Sequence, residues 1–253
     1  MNRSLYVTLL LLFCFWNELG AKKGQSGKWG QSPLNASTFS GMAFRDIGPA
    51  LTSGRISDFA VNPDDPSTYY VATSSGGVWK TDNAGTTYQP IFDSQGSYSI
   101  GCVTLEPGNP HVVWVGTGEN NNQRSVAYGD GIYKSHDGGQ GWEHMGLKNS
   151  EHIGRIIVDP TNTDVVYVAA IGPLWSAGGD RGVYKTTDGG KTWNRVLYIS
   201  ENTGVTDIAM DPRDPNVLYA AAHSAEDGCL LISVAVRNRL FTKVRWRRYL
   251  EQD

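Results

Sequence analysis

The chain alternates short apolar runs with turns rich in Gly, Asp and Pro, most clearly at residues 182–193. From Val183 to Thr187, β-branched and aromatic residues follow a period of two, as in a half-buried strand. The Asp-Gly-Gly at residues 188–190 then forms a tight turn, because Asp accepts hydrogen bonds from nearby N–H groups and Gly adopts φ > 0 freely. A second strand restarts at Trp193, so the segment predicts a β-hairpin.

The same hairpin pattern occurs three times. Each copy has a Gly-x-aromatic-Lys strand, a turn containing Asp or Asn, and a terminal aromatic residue. The copies are residues 77–88, 131–142 and 182–193. In the first copy Asn83 and Tyr88 replace the Asp and Trp of the others. The copies lie roughly 50 residues apart, which is typical of repeats in β-propellers.

Two further strands precede each hairpin. A Gly-led strand ends at an x-Pro turn, and an apolar run follows a few residues later. The Gly-led strands are residues 54–63, 101–107, 154–160 and 204–212, and the apolar runs are residues 69–72, 112–115, 165–168 and 217–220. Four strands per unit without helical periodicity predict an all-β fold, a β-propeller of four-stranded antiparallel blades.

The predicted propeller occupies residues 41–223 and is incomplete. Its blades are expected at about residues 50–93, 99–147, 152–199 and 204–223, which makes about three and a half blades. An incomplete propeller leaves open sheet edges, so self-association through these edges is expected.

The repeated turn resembles the Asp box, or bacterial neuraminidase repeat, with the pattern Ser/Thr-x-Asp-x-Gly-x-Thr-Trp. The residues that match it, and to which we assign a structural role, are Asn83, Tyr88, Ser135, Asp137, Gly139, Trp142, Thr186, Asp188, Gly190 and Trp193. Asp137 and Asp188 resemble catalytic aspartates in a glycosidase-like fold. We interpret them as turn residues, since Asp in such turns hydrogen-bonds the local backbone.

The wider sequence resembles exported sortilin/Vps10-like proteins with these repeats. The likeness covers about residues 42–223 and includes motifs at residues 44–49, 54–56, 75–80 and 116–119. Asp boxes also occur in sialidases, xyloglucanase-type glycosidases and photosystem II assembly factors. The resemblance therefore implies a sialidase-like propeller, but it does not imply one activity.

The N terminus predicts export. Arg3 precedes an apolar run at residues 5–16, which is too short to span a bilayer comfortably, and small residues follow up to Ala21. We expect residues 1–21 to be a signal peptide and residues 22–40 a flexible leader. The expected location is secreted or periplasmic/extracellular, with no membrane span after cleavage.

Charge and cysteine content limit the classes of ligand and cofactor that the sequence predicts. The formal net charge of −3 gives no electrostatic attraction to nucleic acid. Loss of Cys14 with the signal peptide leaves Cys102 and Cys229, which do not make a disulfide framework. No His/Cys cluster has metal-ligand spacing and no glycine-rich phosphate loop precedes a helix, so no metal and no cofactor are expected.

The loops between second and third strands are the predicted ligand site, because two of them are long and combine polar with aromatic side chains. The ligand-binding candidates are Glu119, Asn120, Arg124, Tyr128, Asp130, Trp175, Asp180 and Arg181. The alternative is that the carboxylates satisfy local N–H groups and the arginines pair with them. Arg55 and Arg155, which begin inner strands, are expected to pair with nearby carboxylates.

These features favour a non-catalytic binding or interaction scaffold for a peptide, protein or glycan, as a truncated part of a larger sortilin-like protein. We assign no catalytic residue. The alternatives are a xyloglucanase- or sialidase-like glycoside hydrolase and an assembly-factor-like propeller. In xyloglucanase-type enzymes the general base is the Asp of Ala-Arg-Thr-Asp-x-Gly-Gly, and Ser74 stands in its place here. The Phe-Arg-x-Ile-x-Pro at residues 44–49 has the wrong spacing for a sialidase.

Residues 224–253 depart from the repeat. The next Gly-x-Tyr-Lys hairpin is missing, and a basic stretch stands in its place. Its cations are Arg237, Arg239, Lys243, Arg245, Arg247 and Arg248. With suitable codons, residues 234–243 read in a shifted frame as Gly-Gly-Pro-Glu-Ser-Ala-Ile-Tyr-Lys, and residues 246–253 as Gly-Gly-Asp-Ile-Trp-Asn-Arg. We therefore interpret this tail as the product of a frameshift within the fourth blade.

Overall fold

The computed structural model describes Gly41, residues 55–121 and 126–224, and the strands at residues 230–237 and 240–248. Apart from Gly41, these residues lie in one compact unit, Asp46–Asp253. The predicted signal peptide and leader, residues 1–40, lie outside the described residues, as does Arg124.

The described residues form sixteen strands in four antiparallel sheets, numbered here sheets 1 to 4 in chain order. Sheets 1 and 2 contain β1 (Ile56–Val61), β2 (Tyr69–Thr73), β3 (Val78–Thr81), β4 (Gln89–Pro90), β5 (Ile100–Glu106), β6 (Asn109–Thr117), β7 (Ile132–Ser135) and β8 (Glu143–His144). Sheets 3 and 4 contain β9 (Ile153–Val158), β10 (Val166–Ala170), β11 (Gly182–Thr186), β12 (Asn194–Leu197), β13 (Thr203–Asp211), β14 (Asp214–Ser224), β15 (Leu230–Arg237) and β16 (Leu240–Arg248).

Strands in each sheet follow chain order, and every neighbouring pair is antiparallel. Each sheet is therefore one four-stranded blade, and the repeated hairpin forms the outer half of sheets 1 to 3. The all-β propeller prediction is confirmed, and so is the incomplete ring, because the first sheet has no described sheet packed on its outer face.

The fourth blade has more strands than the half blade predicted at residues 204–223. The repeat pattern predicts no strand in residues 224–253, whereas β15 pairs with β14 and β16 pairs with β15. Pairing there is favoured because β14 would otherwise expose a row of unpaired N–H and C=O groups. From Lys243 to Arg247 polar and apolar residues also alternate, the period of a strand. The described structure thus has four blades, not three and a half.

The core lies between consecutive sheets, since each sheet buries both faces where it has neighbours. Sheets 1 and 2 enclose Tyr70, Ala72, Val78, Val103, Val113 and Val115. Sheets 2 and 3 enclose Trp114, Ile132, Ile156, Val158, Val166 and Val168. Sheets 3 and 4 enclose Tyr167, Ala169, Val183, Val205, Ile208 and Leu218. Fully burying such a side chain contributes about 1.5–3 kcal/mol.

A cross-strand pair recurs in three sheets. An aromatic residue of the second strand lies opposite a lysine of the third strand, whose ammonium group stands over the ring. The distances from Nζ to ring centroid are 5.5 Å for Lys80 and Tyr70, 4.5 Å for Lys134 and Trp114, and 5.0 Å for Lys185 and Tyr167. In sheet 4 the residue opposite Tyr219 is Ala235, so the fourth blade lacks this pair.

Candidate functional site

The Asp-box aspartates are engaged by their own turns. The Asp188 carboxylate accepts hydrogen bonds from Thr186 Oγ1 (2.6 Å), Thr192 N (2.9 Å) and Thr192 Oγ1 (2.6 Å). These bonds, the one from Thr186 first, hold the pKa of Asp188 well below its usual range. The Asp137 carboxylate likewise accepts from Gly141 N (2.8 Å) and Ser135 Oγ (2.8 Å), which lower its pKa.

The degenerate first copy keeps the same geometry without a charge. Asn83 Oδ1 accepts from Thr87 N (2.9 Å) and from Thr81 Oγ1 (3.0 Å), as the carboxylates do in the other copies. Gly139 and Gly190 have φ of 95° and 99°, and their N–H groups donate to Ser135 Oγ and Thr186 Oγ1. A turn that tolerates Asn in place of Asp uses the side chain as a hydrogen-bond acceptor, not as an acid.

The aromatic residue that ends each box anchors the hairpin. Trp142 Nε1 donates to the carbonyl of Ile91 (2.7 Å), and Trp193 Nε1 donates to the carbonyl of Met145 (2.6 Å). Both carbonyls belong to the preceding blade, so the two indoles link neighbouring blades. In the first copy the hydroxyl of Tyr88 bonds that of Tyr69 in the same sheet (2.8 Å).

The opposite end of the sheets, called the loop face, carries the connections from second to third strands. Residues 118–131 and 171–181 are the long ones, and residues 91–99 join β4 to β5 beside them. Ser97 Oγ donates to the Tyr128 carbonyl (2.9 Å) and Asp180 N donates to the Asn149 carbonyl (3.0 Å), so the loops form one continuous surface. A cleft of about 300 Å³ opens on it, lined by Gly76, Gly77, Phe92, Asp93, Gln95, Gly96, Ser97 and Tyr98.

Glu119 and Asn120 hold the loop to the inner strands. Glu119 is buried, its carboxylate forms an ion pair with Arg55, and it accepts a hydrogen bond from Asn121 Nδ2 (3.0 Å). Asn120 Nδ2 donates to the carbonyl of Gly101 (2.7 Å). Both candidate side chains are thereby committed to protein partners.

The two candidate aspartates also have protein partners. Asp130 accepts from Tyr133 OH (2.7 Å) and Thr117 Oγ1 (3.3 Å). Burial, and then the bond to Asp130, raises the pKa of Tyr133 to about 12, so its hydroxyl stays a donor. Asp180 accepts from Asn149 N (3.1 Å) and Tyr184 OH (3.4 Å).

Arg181 shapes its own loop. Its buried guanidinium donates to the carbonyls of Ile171 (2.9 Å), Ser176 (2.6 Å), Gly178 (2.8 Å) and Pro173. Burial lowers the pKa of Arg181. The sequence alternative paired this arginine with carboxylates, whereas its hydrogen-bond partners are backbone carbonyls. A folded loop turns carbonyls inward, and a guanidinium with five N–H donors can satisfy several of them at once.

The aromatic side chains of the loop face point the other way, into solvent. Tyr128 is 58% exposed and Trp175 is 69% exposed. Tyr98, which the sequence analysis did not select, is 64% exposed at the cleft. It was missed because the prediction considered only the connections from second to third strands, whereas Tyr98 lies in the connection from β4 to β5.

His152 lies buried beneath the loop face and was also missed. Its Nδ1 donates to the Glu119 carbonyl (2.9 Å), and its ring stands edge-on to Tyr128 at 5.8 Å. Its Nε2 has no hydrogen-bond partner among the described residues. Burial lowers the pKa of His152 to about 4, so the imidazole is neutral at physiological pH. A single histidine beside a glycine-led strand gives no sequence signal of this.

Two arginines on inner strands pair with carboxylates, as expected. Arg55 pairs with Glu119 on the loop face. Arg155 lies between Asp207 (Nε to Oδ1, 3.0 Å) and Asp58 (Nη1 to Oδ2, 3.6 Å), which come from sheets 4 and 1. The second cluster joins three sheets where their first strands meet.

The candidate carboxyl groups of the loop face give little support for a hydrolase. Glycoside hydrolysis needs two carboxyl groups free to act on the scissile bond. Glu119, Asp130 and Asp180 each have protein partners. Ser74, which stands where a xyloglucanase-type base would be, is buried. Within the described residues, no three His, Cys, Asp or Glu side chains are grouped to hold a metal ion.

Comparisons with known proteins agree with this architecture. A family model described as Sortilin-Vps10 (sortilin, neurotensin receptor 3) matches residues 130–242. The xyloglucanase of Hypocrea jecorina (strain QM6a) is 27% identical over 176 residues, 64% of this chain and 20% of the enzyme. A crystal structure of an ancestral GH74 enzyme superposes with a TM-score of 0.60 at 21% identity, covering 76% of this chain and 25% of that one.

A further solved structure, YCF48 from Cyanidioschyzon merolae, has a TM-score of 0.51 at 15% identity, covering 79% of this chain and 59% of that one. At such identities the structural likenesses show the fold alone. The chain spans about a fifth of the curated relative it matches. Among the described residues there is no helix long and apolar enough to cross a membrane.

Proposed function

We propose that this sortilin-like β-propeller is an exported, non-catalytic scaffold that binds a glycan chain on its loop face. One observation carries the proposal. The three candidate carboxylates of the face, Glu119, Asp130 and Asp180, have protein partners. Tyr98, Tyr128 and Trp175 instead extend into solvent with 64%, 58% and 69% of their surface exposed.

Exposed aromatic rings suit a sugar ligand. A ring offers a large, rigid apolar surface at a low cost in side-chain entropy, and a sugar ring has an apolar face of C–H groups. Tyrosine and tryptophan also carry one polar group each, which can bond a sugar hydroxyl. The cleft of about 300 Å³ beside Tyr98 is large enough for one or two sugar rings.

Export rests on the predicted signal peptide at residues 1–21. A secreted or periplasmic location would bring the loop face to extracellular polysaccharides. The likeness to a xyloglucanase supports a glucan with xylose side chains as the first ligand to test.

Binding is tested by calorimetry with xyloglucan oligosaccharides. Trp175→Ala is expected to weaken binding about tenfold, equivalent to about 1.4 kcal/mol, because it removes the most exposed ring. Trp175→Phe, which keeps a ring, should retain most of the affinity. His136→Ala, exposed at the opposite end of the sheets, controls for a surface truncation. Equal affinity of Trp175→Ala and the wild type would contradict the assignment.

A glycoside hydrolase is the second candidate, favoured by the curated relative. It predicts that the protein releases reducing ends from xyloglucan, and that Glu119→Gln or Asp130→Asn abolishes the release while circular dichroism shows the fold intact. Such turnover would replace the scaffold proposal. Binding without turnover supports it.

A further inference from the structure

The first sheet exposes an apolar face. Ile56, Phe59 and Val61 of β1 are 58%, 52% and 53% exposed. A register shift between Ile56 and Asp58 leaves one extra residue in β1, so all three apolar side chains lie on the same side of the sheet. This side is the one turned away from sheet 2, because the alternate residue Ala60 is in the core between sheets 1 and 2.

The same positions are core positions in every other sheet. Each first strand carries a matching register shift near its start, which fixes the correspondence. Seven of the nine equivalent residues have 0 to 4% of their surface exposed, and the other two, Leu105 and Met210, are partly buried against the same core clusters. The seven are Ile100, Val103, Ile153, Ile156, Val158, Val205 and Ile208. They are buried because each packs against the preceding sheet. Sheet 1 therefore displays a blade–blade interface without the partner blade.

The last sheet exposes the complementary surface. Tyr219 of β14 is 49% exposed, whereas its equivalents Tyr70, Trp114 and Tyr167 are 2%, 0% and 6% exposed. Those three are buried because the next sheet covers them. Ala209, equivalent to the buried Ala60, is exposed as well. The two ends of the four-sheet array thus carry the two halves of one interface.

We infer that a second copy of this chain seats sheet 1 against sheet 4 head to tail, so that two chains close a ring of eight blades. The pairing would repeat the packing that the chain already builds three times between its own sheets. A contact between two different surfaces closes into a ring when the rotation per subunit permits it, and propellers close with four to eight blades. Closure would cover both apolar ends and remove the liability of exposed patches.

A second copy fits better than a symmetric contact because it supplies both missing halves, whereas cover by further blades of a longer chain would leave this chain a monomer. Symmetric contact between two sheet 1 faces would leave Tyr219 exposed. Closure within a single chain is not the arrangement of this structure, since Phe59 and Tyr219 are exposed in the same molecule. The inference is independent of the glycan proposal, because the two sheet faces lie apart from the loop face.

The test is the mass of the full chain in solution, measured by light scattering after size exclusion. The wild type is expected to have twice the monomer mass. Phe59→Glu and Tyr219→Glu each place a charge in the interface and should reduce the mass to that of a monomer. Trp175→Glu, at a more exposed aromatic position on the loop face, should leave the dimer unchanged.

Mixing the two interface variants separates head-to-tail contact from symmetric contact. Phe59→Glu keeps an intact sheet 4 and Tyr219→Glu keeps an intact sheet 1, so the mixture should regain a dimer with one good interface. A wild type that stays monomeric up to its solubility limit overturns the inference. So does a dimer that Tyr219→Glu leaves intact. Circular dichroism and the thermal midpoint of each variant show whether it is folded. Ile56→Glu replaces an unfolded Phe59→Glu on sheet 1, and Ala209→Glu replaces an unfolded Tyr219→Glu on sheet 4.

Discussion

At single positions, the capacity to form hydrogen bonds explains the Asp-box residues and Arg181 better than their charge does. Asn83 occupies the same turn position as Asp188 and accepts the same backbone hydrogen bond from four residues downstream. The neutral amide oxygen accepts this bond as the carboxylate does, so the aspartate is needed as a hydrogen-bond acceptor. The same reasoning applies to Arg181, whose guanidinium N–H groups donate to four carbonyls of its own loop.

His152 predicts a loss of stability in mild acid. Its pKa is about 4 in the folded protein, lowered from 6.5 first by burial. Between these values the unfolded chain binds a proton that the folded chain does not. The free energy of unfolding should therefore fall as the pH drops from 6.5 to 4, by up to about 1.4 kcal/mol per pH unit from this group.

Urea unfolding at a series of pH values checks this expectation. His152→Gln removes the titrating group and should flatten the dependence, while the acidic groups that titrate below it remain. His136→Gln, an exposed position, is the matched control for removing a histidine. Identical pH dependence in the wild type and His152→Gln would show that the buried imidazole is not responsible.

At the scale of elements, the Asp-box hairpin links one blade to the one before it. The indoles of Trp142 and Trp193 each donate across the blade boundary, and the ring of Trp193 stands edge-on to Trp114 with centroids 6.5 Å apart. Tyr88 of sheet 1 instead bonds Tyr69 within its own sheet. The first hairpin therefore has no cross-blade link of this kind in the described structure.

Trp193→Phe is expected to destabilise the protein by about 1 kcal/mol, because it removes the donor to the Met145 carbonyl while keeping an aromatic ring. Chemical denaturation gives the free energy of unfolding. Tyr88→Phe also removes one aromatic hydrogen bond, but within one sheet. Hydrogen exchange at the β8–β12 boundary should rise only in Trp193→Phe. Unchanged exchange there would mean that the bond does not couple the blades.

At the scale of the whole molecule, sheet 4 has the backbone of a blade without its repeated side-chain pair. Its third strand places Ala235 opposite Tyr219, where the other sheets have lysine. The shifted reading of residues 234–243 ends in Ile-Tyr-Lys and would restore that lysine. The backbone pairing alone does not require the native sequence, since any alternating segment can extend an edge strand.

The frameshift hypothesis predicts the outcome of sequencing the gene and transcript across codons 220–253 and beyond. A shifted frame that continues into further Asp-box blades is expected. An intact frame with a stop after Asp253 would contradict the hypothesis and make the basic tail a genuine part of the protein. The first result would assign the missing partner of Tyr219 to a longer chain.

The sequence by itself determined the repeat, the strand order within each blade and the turn residues, because these depend on contacts between residues close along the chain. The period-2 runs and the Asp-box spacing were sufficient for the first three blades. The sequence also identified the long loops and two exposed aromatic residues of the loop face, Tyr128 and Trp175.

Only the tertiary structure decided which side chains the loops commit to the scaffold and which they expose. Glu119 finds its charged partner at Arg55 on another sheet, and Arg155 meets carboxylates from two further sheets. Phe59 and Val103 are equivalent in their strands, yet one is half exposed and the other buried. Burial depends on whether a neighbouring sheet is present, and that is a property of the assembled molecule.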